Sequence, residues 1–131
     1  MLIWKNGTRP SRMAPADWFT GTVWMDPIVE APDPARHRAL RVQFSPGART
    51  NWHTHPLGQT IYVSEGQGYA CRRGQEPQRI KAGDTVFFEP GEEHWHGAAP
   101  DTGMTHIAIQ EAQDGSVADW LEPVSEADYP A

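Results

Sequence analysis

Twelve prolines and twelve glycines, scattered through 131 residues, constrain this chain more than any other feature. Proline interrupts a helix and glycine weakens one. Stretches free of both rarely exceed about ten residues, so long helices are excluded before any periodicity is read. What remains is a series of short segments between turn signals, the pattern of an all-β sandwich or barrel. The length predicts one domain spanning residues 1–131, with enough chain to bury a core without cross-links.

Residues 1–16 carry Gly7, Pro10 and Pro15 and read as an irregular arm. Trp18–Trp24 is rich in aromatic and β-branched types and reads as a strand. Leu40-Arg41-Val42-Gln43-Phe44 alternates apolar and polar residues, which predicts a half-buried strand with 40, 42 and 44 inward. Thr50–His55 is extended and stopped by Pro56, and Gln59–Val63 is a strand with 59, 61 and 63 on one face. Glu65-Gly66-Gln67-Gly68 reads as a hairpin turn, with Tyr69–Arg73 as the return strand. Thr85–Phe88, His94–His96 and Met104–Gln110 follow as further extended segments. Beyond Gly115, Val117–Leu121 and Ser125–Asp128 each predict one helical turn, the second opening like a capping box. Trp120 and Leu121 are expected on the barrel exterior or against a partner chain.

The chemistry is concentrated in a few histidines. His53 and His55 stand two residues apart, so on a strand both point the same way. Gln59 keeps that parity four residues later, and His94 lies thirty-five residues beyond it. Neutral imidazole is the commonest protein ligand for a first-row transition metal. Three imidazoles and one amide oxygen therefore predict a divalent site at His53, His55, Gln59 and His94. A neutral amide leaves the ion its full charge, making it a stronger Lewis acid than a carboxylate would. Mixed nitrogen and oxygen ligation suits Mn²⁺, Fe²⁺, Ni²⁺ or Zn²⁺.

His96 has the parity of His94, and His106, Ala108 and Gln110 share a face of the last strand. His96 and His106 are the candidate proton carriers; His96 is alternatively a fifth ligand, and His106 alternatively a core histidine. Gln110 is a candidate to orient a substrate oxygen. Leu40, Val42, Phe44, Ile61, Val63, Phe87 and Ala108 are the candidate pocket wall or, alternatively, plain core. Trp52 and Trp95 have the opposite parity to the ligands, which predicts packing.

Seventeen acids against eleven bases give a net charge of −6. No basic stripe marks a nucleic-acid surface, and no run reaches the ~20 apolar residues of a membrane helix. The N-terminal residues lack the apolar stretch and cleavage site of a signal peptide, which predicts a cytoplasmic protein. A single cysteine, Cys71, excludes an internal disulfide and reads as a small strand residue. Trp4, Trp18, Trp24 and Trp120 suggest a subunit contact in a homodimer or homotetramer.

Two motifs resemble those of the cupin superfamily. Gly47, His53-Thr54-His55, Gln59 and Gly66 match the first, over 47–66, with Gln59 where the family has Glu. Gly83-Asp84 through Pro90-Gly91-Glu92-Glu93-His94 resembles the second, over 83–98. There the usual proline falls on Glu89 and the usual terminal Asn on Ala98. The resemblance implies a conserved-barrel, jelly-roll-like fold. A narrower likeness is to the bacterial cupin-type hydroxynitrile lyases. It rests on residues 15–23, 52–60, 93–100 and 104–111, and includes the same Gln59. That likeness implies bound manganese and the making or cleaving of (R)-cyanohydrins from aldehyde and cyanide. Two alternatives stay open. One is an iron- or manganese-dependent dioxygenase, with Glu89 and Glu111 as its candidate acids. The other is a non-catalytic binding module.

Overall fold

The computed structural model describes residues 1–130, which form twelve strands and, among the described residues, no helix. The strands are β1 (Arg12–Met13), β2 (Phe19–Thr20), β3 (Val23–Glu30), β4 (His37–Phe44), β5 (Arg49–Thr50) and β6 (His53–Thr54). They continue as β7 (Gln59–Arg72), β8 (Gln78–Lys81), β9 (Thr85–Phe88), β10 (His94–Ala98), β11 (Met104–Glu111) and β12 (Asp119–Trp120). Every pairing is antiparallel. One layer runs β1-β3-β4-β11-β7-β9. The other runs β2-β5-β10-β7-β8, with β6 joining β10 to β12.

β7 belongs to both layers. Its first half pairs with β11 and β9, and its second half with β10 and β8. This corrects the hairpin expected at Glu65–Gly68: the chain does not reverse there, and Tyr69–Arg72 continues the same strand. Gly66 takes φ +76, and this local kink carries the strand from one sheet to the next. Trp18–Trp24 is likewise two strands rather than one, broken where Gly21 takes φ +83 beside Ala48. β3 then runs on through Pro27 to Glu30.

The inner faces enclose a core that includes Val23, Val42, Phe44, Ile61, Val63, Phe88 and Met104. The alternation of β4 and of Gln59–Val63 is as expected, with Val42, Phe44, Gln59, Ile61 and Val63 buried. A second cluster packs Trp52, Cys71 and Trp95 against Val124 and Tyr129 from the C-terminal segment. Cys71 is thus a packed strand residue, and burial pushes its thiol pKa up. Arg73, just past the end of β7, stacks 4.0 Å from the Trp52 ring and pairs with Glu93 and Glu122.

Of the two helical turns predicted near the C-terminus, the one at Ser125–Asp128 forms and the one at Val117–Leu121 does not. Val117–Leu121 is extended because β12 pairs with β6. Ser125 caps a single turn, its Oγ accepting from Asp128 N at 3.2 Å, and Pro130 follows at once. Buried Arg49 fastens this segment, donating to Val124 O at 3.1 Å and pairing with Glu126 at 2.9 Å. Among the described residues, no helix is long and apolar enough to cross a membrane.

Candidate metal centre

His53 lies on β6, His94 and His96 on β10, and His106 on β11; His55 directly follows β6, and Gln59 opens β7. The register sets His94 opposite His53, and Gln110 opposite Gln59. All six of these site groups and Gln110 are buried. Ring centroids of His53 stand 4.2 Å from His94, 5.0 Å from His55 and 5.4 Å from His96. His53, His94 and His96 each bring a ligand atom within 4.8 Å of the other two. His55 falls outside that tightest trio, its ring 5.5 Å from that of His94. Gln59 Oε1 lies 3.4 Å from His94 Nε2.

Hydrogen bonds decide what these rings present. His53 Nδ1 donates to Asn51 O at 2.9 Å, His55 Nδ1 to Val117 O at 2.6 Å, and His94 Nδ1 to Glu92 O at 2.7 Å. A carbonyl only accepts, so each Nδ1 carries the proton and each Nε2 bears a lone pair. Such backbone tethers are the usual outer support of metal-binding imidazoles. Gln59 donates its NH₂ to Gln110 Oε1 at 3.0 Å, which turns its own oxygen toward His94. The 3.4 Å approach of that oxygen to His94 Nε2 is then acceptor against acceptor, an arrangement a cation relieves. His55 Nε2 and His96 Nε2 are buried without a hydrogen-bond partner. The donor set therefore fits a divalent ion.

Burial and, after it, the neighbouring imidazoles hold the pKa of His53 and His96 well below the usual histidine value. Burial lowers His94 to about 3 and His106 to about 3. At neutral pH these rings are uncharged and free to ligate. At His94 and His106 the unfolded chain takes up protons near pH 6.5 and the folded chain only near 3. Stability contributed by these groups is therefore complete above about pH 6.5 and is lost as pH falls. Lowering pH from 7 to 5 is expected to cost the metal-free protein about 2 kcal/mol for each of His94 and His106. Urea midpoints at the two pH values test this; an unchanged midpoint would contradict it.

His96 Nδ1 and His106 Nε2 share a hydrogen bond of 3.0 Å, while His96 Nε2 and His106 Nδ1 have no partner. One proton lies between the rings. In the neutral pair, one outer nitrogen consequently bears a hydrogen and the other a lone pair. Gln110, expected to orient a substrate oxygen, lines the cavity and gives its own oxygen to Gln59, which leaves its NH₂ unused.

A cavity of about 410 Å³ opens onto His53, His55, Gln59, His96, His106 and Gln110. Leu40, Val42, Phe44 and Ala108 line it, as expected. Ile61 and Val63 are fully buried in the core and do not line it. Phe87 is corrected outright: it is 59% exposed and faces away from the cavity, because Phe88 is the inward residue of β9. Trp120, expected outside, stacks on His53 at 4.6 Å and on Trp18 at 5.1 Å, and with Phe19 and Met25 it lines the cavity. Sequence reading missed these four residues. The only available signal was the aromatic content of residues 18, 19 and 120, and nothing local tied it to the histidines.

The sequence profile described as Cupin domain matches residues 40–109. The chain is 56% identical over 129 residues to a protein of Granulicella tundricola named (R)-mandelonitrile lyase, covering 98% of each. Among solved structures it is similar to a cupin-like protein from Thermotoga maritima, with TM-score 0.85 and 38% identity. That match covers 98% of this chain and 95% of the other. It also shares the fold of the polyketide cyclase RemF from Streptomyces resistomycificus, with TM-score 0.75 and 20% identity, covering 98% and 90%.

Proposed function

The chain belongs to the cupin family, and from that premise we propose that it is a divalent-metal-dependent hydroxynitrile lyase, cleaving cyanohydrins to aldehyde and hydrogen cyanide and forming them in reverse. The observation that carries this reading is the near-complete match to the Granulicella (R)-mandelonitrile lyase, at 56% identity. The convergence of tethered imidazoles beside a largely apolar cavity supports it.

His53, His55 and His94 would hold the ion through Nε2 and Gln59 through Oε1, and a ring nitrogen of His96 lies within 4.8 Å of ligand nitrogens of His53 and His94. Manganese is the proposed metal. Bound there, a divalent ion supplies Lewis acidity toward the substrate hydroxyl oxygen. Leu40, Phe44, Trp18 and Trp120 seat the substrate's apolar body and exclude water. The His96–His106 pair takes the hydroxyl proton on whichever outer nitrogen bears the lone pair. The C–C bond then breaks, cyanide departs with its electron pair, and the carbonyl forms. Returning the proton to cyanide restores the pair.

Protein purified without added metal, analysed for elements and assayed for cyanide release from mandelonitrile in anaerobic buffer, tests the reading. Stoichiometric metal and oxygen-independent release are expected. Metal-loaded protein that releases no cyanide from a cyanohydrin panel would overturn it.

A further inference from the structure

Among the described residues, one charged side chain, Arg38, lines the cavity, and no acid does. Arg38 precedes Leu40, Val42 and Phe44 on β4 at the same parity, so it continues their inner face to the rim. Arg38 also borders an outer pocket that holds Arg9 and Arg12 together with Glu30 and Asp33, so its surface side carries both signs of charge.

Its neighbours leave it available. The Cα partners of Arg38 are Glu30 on β3 and Gln110 on β11, and Gln110 in turn faces Gln59. Glu30 pairs with Arg38 Nη2 at 3.4 Å but is 75% exposed, against 33% for Arg38. A solvated contact of that kind holds a guanidinium weakly and leaves most of its five N–H donors unused. Gln110 gives its oxygen to Gln59, so its NH₂ is the group left for the cavity. Two strand spacings, about 10 Å, separate the Cα of Arg38 from that of Gln59. A substrate with its hydroxyl beside Gln59 and the histidines thus extends toward Arg38, with apolar Leu40 and Met25 alongside.

We propose that Arg38, with the Gln110 NH₂, binds a carboxylate at the end of the substrate remote from the reacting carbon. The preferred substrates are then aromatic aldehydes and cyanohydrins bearing a carboxylate across the ring. The fork of a guanidinium matches two carboxylate oxygens, and a partly desolvated rim strengthens the pairing. This assignment of substrate class rests on the lyase reading, and its test separates the two.

Binding of 4-formylbenzoate and of its methyl ester, followed by quenching of tryptophan fluorescence, needs no turnover. Wild type is expected to bind the carboxylate at least about tenfold more tightly than the ester. Arg38→Gln should bring the two to near parity, Arg38→Lys should keep part of the preference, and Glu30→Gln should increase it. The kcat/KM ratio for the corresponding cyanohydrins should follow the same order. Equal binding of acid and ester by wild type, or a preference that survives Arg38→Gln, would overturn the proposal. Should Arg38→Gln fail to fold, a Glu30→Gln preference no larger than wild type overturns it instead. Protein that binds the carboxylate through Arg38 yet cleaves no cyanohydrin would sink the lyase reading and leave the carboxylate site standing.

Discussion

His53→Ala is expected to yield protein without bound divalent metal and with cyanide release from mandelonitrile lowered at least about 1,000-fold, on the order of 4 kcal/mol of transition-state stabilisation. His53 is the centre of the cluster, with the rings of His94, His55 and His96 around it and Trp120 stacked upon it. Loss of metal is read by elemental analysis and loss of rate by cyanide release, with the thermal transition confirming that the variant folds. His55→Ala and His94→Ala should behave alike, since each removes one tethered lone pair. Any one of the three variants that kept both metal and activity would show the ligand set to be wrong. His106→Ala should keep metal and lose activity. His96→Ala separates its two roles: a proton carrier leaves metal content intact, and a ligand does not.

Gly66→Ala is expected to destabilise the protein by about 4 kcal/mol, lowering the thermal midpoint by about 12 °C. An added Cβ would overlap the Gly103 carbonyl oxygen and stand 2.9 Å from the carbonyl carbon and 3.1 Å from Met104 Cα. These are backbone atoms at the junction of β7 and β11, so they cannot swing aside as a side chain would. The φ of +76 adds its own penalty for any L side chain. Gly74 supplies the control: its φ is +85, but a Cβ there meets nothing within 4 Å. Gly74→Ala should therefore cost only the backbone strain, about 1 kcal/mol. Equal losses in the two variants would show that the close approach at Gly66 contributes nothing.

Gly66 also marks where sequence reading reached its limit. Glu65-Gly66-Gln67-Gly68 between two strands reads the same whether the chain reverses or bends. What distinguishes them is the set of partners, β11 and β9 before the bend and β10 and β8 after it. The helical turn expected at Val117–Leu121 failed for a similar reason. Asp119-Trp120 is extended because β6 offers it a ladder more than sixty residues away in sequence, and tertiary pairing overrides local propensity. Phe87 and Phe88 are adjacent on β9 and both apolar, so sequence alone did not tell which one faces inward.

The order of residues was enough to show that the protein is built of strands and that a divalent site at His53, His55, Gln59 and His94 is the chemistry to expect. Strand parity does not carry over to Gln59, which opens β7 beyond the turn at Gly58 and meets the histidines from the other sheet. Chain breaks and strand parity are local properties, set by φ restrictions and side-chain alternation within a few residues. Which imidazole nitrogen points inward follows from long-range contacts, since Val117 O, the acceptor that orients His55, lies sixty-two residues away. Tertiary packing likewise stacked Trp120 on His53 and Trp18 on Trp120, joined His96 to His106, and left Arg38, among the described residues, as the single Lys or Arg lining the cavity. Those relations depend on the pairing of distant strands, and side-chain alternation within one strand carries no record of which strand will lie beside it.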